Sequence, residues 1–175
     1  MTNLLRTAAF AATVASFALS ATQAAAAPVT ATTDATATAR ILRPLQLTST
    51  QNLDLGTIVL SGTAPYSATV SITRAGAFSC DGGSGNVTCS GAHQQAIYNV
   101  RGTNNQNVTI AAGNVTLNGS NGGSLTLTPD FANSVLLTNS GAPGVDFGVV
   151  GSITVADTTT DGVYTGTFAV TADYQ

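Results

Sequence analysis

The sequence predicts an all-β protein, built as an immunoglobulin-like β-sandwich. Three observations carry that expectation. Thr, Val, Gly and Asn abound while strong helix formers other than Ala are scarce, a composition that suits pleated, half-buried strands. Only 7% of residues are charged, far below the usual quarter. Short stretches of alternating apolar and polar residues recur along the chain, separated by Gly and Asn turns at near-regular spacing, which is the pattern of a sandwich or barrel. No stretch of the mature chain has helical periodicity. At 175 residues the prior is one domain.

Taken in order, the chain opens with MTNLLR, a short basic lead containing Arg6, followed by the apolar run TAAFAATVASFALSA and the small residues ATQAAAAP. This reads as a secretory signal peptide, residues 1–26, cleaved after Ala24 or Ala26. The apolar run is short and lacks a basic stop-transfer flank, so a membrane anchor is the weaker alternative. The mature protein is expected to be exported, passing through the periplasm to the cell surface or beyond, with no membrane span.

Residues 28–47 read PVTATTDATATARILRPLQL. Val29, Ala31, Ala35, Ala37, Ala39 and Ile41 alternate with polar residues, and only Thr33 breaks the apolar register. The segment 27–39 is therefore an extended N-terminal extension, and the domain proper is expected over 40–175, with its first strand starting at Ile41 and bent at Pro44. Strand-like runs follow at 53–61, 66–76, 95–102, 106–112, 114–119, 123–131, 135–140 and 147–157. The last is DGVYTGTFAVTADYQ, in which Tyr164, Gly166, Phe168, Val170, Ala172 and Tyr174 share one face of an extended strand.

Cys80 and Cys89 flank DGGSGNVT, a turn-like cluster between two strands. In an exported chain the default for two cysteines is a disulfide, here one that clips a hairpin or loop. A metal site needs more soft ligands than two Cys and the single His93 supply. Catalysis finds equally little to work with. His93 lies in a polar, turn-like context, no G-x-S-x-G elbow is present, and the aspartates stand mostly beside Gly, Asn or Pro, where they cap turns. No catalytic, cofactor-binding or metal residues are assigned. Net charge is −3 with no basic cluster, which excludes a nucleic-acid binder. The chain has no lysine, so lysine-based crosslinking cannot join copies of it.

The two ends together resemble a family of exported bacterial domains of unknown function. The residues that carry the resemblance are A-R-I-x-x-P-L-x-L (39–47), L-D-x-G-T-I (53–58) and G-x-Y-T-G-x-F-x-V-T-x-x-Y (162–174). By fold-level analogy the family resembles chaperone–usher pilins of the archaic type and spore-coat-U-like domains. Such pilins end in an alternating strand with a penultimate Tyr and a Gly fourteen places from the end, positions held here by Tyr174 and Gly162. The resemblance implies an incomplete sandwich completed by donor-strand addition. It implies as partners the chain itself, in a head-to-tail polymer, and a periplasmic chaperone and usher. The donor face would be Val29, Ala31, Thr33, Ala35, Ala37 and Ala39, and residues 162–174 the terminal assembly strand. Donor strands usually carry larger plugs than alanine, so the groove must be shallow or the segment partly a linker. The competing reading makes residues 29–47 one long strand of a self-complete sandwich that serves as a surface adhesion or binding module. An enzyme comes third.

Overall fold

The computed structural model describes residues 26–61, 63–82 and 86–175. Apart from Ala26, the expected signal peptide lies outside the described residues. The chain divides into two units, Met1–Ala39 and Arg40–Gln175. In the first, residues 26–39 belong to no strand and every one of them is exposed.

The second unit is an all-β, sandwich-like fold with no helix among the described residues. Its strands are β1 (Gln46–Gln51), β2 (Thr57–Leu60), β3 (Ser67–Ile72), β4 (Phe78–Gly82), β5 (Val87–Ser90), β6 (Ala96–Arg101), β7 (Asn107–Ala112), β8 (Val115–Gly119), β9 (Ser124–Phe131), β10 (Ser134–Leu136), β11 (Val145–Ala156), β12 (Tyr164–Thr165) and β13 (Val170–Tyr174). The largest sheet runs β1-β6-β11-β9-β8-β12, with β3 joined to β11 and β4 to β3. A second sheet has the order β10-β7-β13, and β2 pairs with β5 in a third. All pairings are antiparallel.

The long strand β11 organises the large sheet. Its first part pairs with β6, Val145 opposite Val100 through Val149 opposite Ala96. Its last part pairs with β3, from Gly151 opposite Ile72 to Ala156 opposite Ser67. Strand β9 lies along the other edge, Val149 to Ser152 facing Phe131 to Thr128. Alternate residues Phe147, Val149, Ile153 and Val155 are buried, as the period of two demands.

Two core clusters result. One gathers Ala96, Val100, Val108, Ile110, Val135, Leu137, Phe147 and Val149 from β6, β7, β10 and β11 and the segment after β10. The other gathers Val70, Leu125, Leu127 and Ile153 from β3, β9 and β11. Leu53 and Phe168 pack against both.

Two expectations need correction. The first strand begins at Gln46, not Ile41. Pro44 has no N–H to give a ladder, the Arg43 N–H is taken by the Thr103 hydroxyl at 2.7 Å, and Ile41 is 89% exposed. The long strand over 29–47 is therefore absent. Second, the regular terminal strand is broken into β12 and β13. Residues 166–169 between them form no ladder, because the chain there leaves the edge of β8 for the edge of β7. The expected disulfide is present, with Cys80 and Cys89 Cα atoms 6.0 Å apart, and of the two forms expected, hairpin or loop, it closes the loop between β4 and β5. Cys80 lies on β4, which pairs with β3, and Cys89 on β5, which pairs with β2. The bridge ties the two-stranded sheet to the large one.

Candidate functional site: two free strand edges

The C-terminal run closes two sheets in succession. Tyr164 and Thr165 pair with Gly119 and Asn118 of β8. Val170 to Tyr174 then pair with Ala112 to Val108 of β7. The alternation expected from sequence holds through the break. Tyr164, Phe168, Val170, Ala172 and Tyr174 are half-buried, while Val163, Thr165, Thr167, Ala169, Thr171 and Asp173 are exposed. Gly166, on the inward parity, is exposed and sits in the crossing segment.

Phe168 is the pivot of this crossing. Its ring lies 6.2 Å from that of Tyr98, which in turn stacks on Phe147 at 5.8 Å, within the range of favourable ring contacts. Desolvation by burial raises the pKa of the Tyr98 hydroxyl above its ordinary 10.0, while a hydrogen bond with the Ser49 side chain pulls the other way.

Gly162 opens the run with φ +148°, a backbone conformation that favours glycine. A Cβ there would stand 2.9 Å from the Ser120 hydroxyl oxygen. The same hydroxyl accepts the Val163 N–H at 3.0 Å, which fixes the turn into β12. The glycine of the terminal motif thus has a local reason.

Tyr174 has a long-range one. Its hydroxyl donates to the Arg43 carbonyl at 2.7 Å and accepts the Thr103 N–H at 2.7 Å. It joins the end of β13 to the lead-in of β1 and to the loop after β6. Gly102 makes this contact feasible, because a side chain there would collide with the Tyr174 hydroxyl and stand 2.8 Å from both Leu137 Cδ1 and Leu45 Cδ2. Sequence reasoning singled out Tyr174 but missed Arg43, Thr103 and Gly102. A half-buried Tyr hydroxyl needs a partner, yet nothing in the sequence names partners 131 and 71 residues away.

Strands β1 and β13 meet near Arg43 and Tyr174 but do not pair with each other. β1 has a ladder only with β6, and β13 only with β7. Each therefore leaves one edge without a strand partner among the described residues. Leu45 and Leu47 from the β1 side and Phe168, Val170, Ala172 and Tyr174 from the β13 side all pack on the first core cluster. They remain half-buried, whereas Val100 and Val108 on the neighbouring strands are 0% exposed. The result is an apolar seam between two open edges.

The proposed donor residues Val29, Ala31, Thr33, Ala35, Ala37 and Ala39 are all exposed. They lie in the other unit. His93 is exposed and stacks on Phe78, ring centroids 4.3 Å apart. Among the described residues no group of three His, Cys, Asp or Glu stands together in a way that could hold a metal ion, and no helix is long and apolar enough to cross a membrane.

No curated protein and no solved structure matches the chain. One domain family does, over residues 45–174, which span β1 to the end of β13 and hence both edges of the seam. The chain belongs to this family, described as a domain of unknown function (DUF4402).

Proposed function

We propose that this protein is a structural subunit of a cell-surface fibre, pilus or coat, exported through the periplasm and assembled by strand complementation without catalysis. The observation that carries the proposal is the pairing of two features. Two strand edges flank one half-buried apolar seam, and an alternating segment belongs to no strand among the described residues and lies wholly exposed. Open edges invite a further strand. A strand added there gains main-chain hydrogen bonds from both edges and buries alternate side chains on the seam. During export a chaperone strand would occupy the seam, and at an usher the segment 27–39 of the next copy would replace it. Head-to-tail addition of this kind does not close, so it yields a filament. The use of small plugs would suit a shallow groove, and the Leu, Phe and Tyr side chains that pack on the core at the seam favour one.

The test compares mature protein starting at Ala27 with a version starting at Arg40, both purified from periplasm. Size-exclusion chromatography and unboiled SDS gels are expected to show a detergent-resistant ladder for the long form and monomer for the short form. Two stable monomers that bind no added 28–39 peptide would sink the proposal. They would transfer the assignment to a self-complete sandwich acting as a surface adhesion or binding module.

A further inference from the structure

Among the described residues, the two most exposed large apolar side chains are Val29 at 96% and Ile41 at 89%. Both are odd-numbered, as are Ala31, Ala35, Ala37 and Ala39 between them, so an extended chain presents them on one face. A monomer has no use for an isoleucine held this far in water two residues before an anchored position. The Arg43 N–H is held by Thr103 and its carbonyl by Tyr174, and Pro44 follows. We propose that Ile41 is the bulky anchor of the donor strand, which therefore runs over 29–41, and that its seat is the β1–β13 seam of a second copy.

This inference rests on the strand-complementation reading and adds to it the residue that sets register. Reach selects the second copy over the chain's own seam. Ile41 is tethered within about 7 Å of Arg43, which is fixed at the Tyr174 end. It cannot travel along its own seam, but it can enter one presented by a neighbour abutting that end. A one-residue slip would turn Ile41 to solvent and bring Arg40 onto the apolar floor.

The experiment uses the full mature chain in four forms: wild type, Ile41→Asp, Ile41→Val and Arg40→Asp. Each is purified from periplasm, checked by circular dichroism melting and run on unboiled SDS gels. The expected result is a ladder for wild type, Ile41→Val and Arg40→Asp, and at least a tenfold loss of ladder for Ile41→Asp with the monomer's melting temperature unchanged. An undiminished ladder in Ile41→Asp overturns the Ile41 inference and leaves strand complementation standing. Loss of ladder in Arg40→Asp equal to that in Ile41→Asp also overturns it, because the effect would then follow charge in the segment and not the face. No ladder in wild type overturns both.

Discussion

The hydroxyl of Tyr174 lies 2.7 Å from the carbonyl oxygen of Arg43, 131 residues earlier in the chain. One phenol thus fixes the distance between the last strand and the lead-in of the first, and with it the width of the seam at that end. Tyr174→Phe keeps the ring and removes the bridge to Arg43 and Thr103. The expected cost is about 1 kcal/mol, read as a lower urea midpoint at unchanged slope. An unchanged midpoint would mean that the bridge does not hold the two elements together.

Gly102 makes room for that bridge. Gly102→Ala places a methyl against Leu45, Leu137 and the Tyr174 hydroxyl. Overpacking of this kind costs about 1–3 kcal/mol. The double variant with Tyr174→Phe is expected to lose less than the sum of the two single losses, because both act on one contact. Strict additivity would refute the shared contact.

Phe168 packs on both core clusters. Phe168→Ala is expected to cost roughly 3 kcal/mol, the low end for a core aromatic because the ring is only half-buried. Thermal melts followed by circular dichroism measure it. A loss below about 0.5 kcal/mol, the size of an ordinary surface change, would show that the crossing segment does not join the two clusters.

The Cys80–Cys89 bridge closes a short loop, with a sequence separation of 9. Its removal by Cys80→Ser is expected to cost about 2–3 kcal/mol while folded protein still accumulates. Proteolysis should then cut first in β2 or β5, whose small sheet the bridge ties to the large one. Complete loss of folded protein would give the disulfide a larger role than this.

Tyr98 carries a pH dependence whose sign is fixed by burial. Its folded pKa is raised by desolvation, so the unfolded chain gives up this proton at lower pH than the folded one. The stabilisation is full below the unfolded value near 10 and is lost as pH rises through the folded value. Urea midpoints for wild type are therefore expected to fall above about pH 10, with a shallower fall in Tyr98→Phe. Identical slopes would remove Tyr98 from the alkaline transition.

Much of the sheet was legible because period two is a local signal. The runs at 106–112, 114–119 and 123–131 match β7, β8 and β9 to within a residue or so, since each alternates cleanly between Gly or Asn turns. The faces of the terminal strand were legible for the same reason, and Phe168, Val170, Ala172 and Tyr174 all face inward. What local pattern does not carry is the choice of partner. Nothing in TGTFA announces that the chain changes sheets there, because the change depends on where β7 and β8 stand. Alternation in 29–41 likewise indicates an extended chain but not a paired one, and Pro44, read as a bend within the first strand, instead precedes the start of the domain's own pairing at Gln46.

The crossing of the terminal run also sets an order of events during synthesis. Ala111 waits 60 residues for Thr171, and Ser120 waits 43 for Val163. Until the end of the run emerges, β7 and β8 each stand with an edge and an apolar flank uncovered. Contacts this distant in sequence fold slowly, and bare strands in a half-made chain are where aggregation starts. The same few residues that finish the sandwich therefore set how long the emerging chain stays vulnerable.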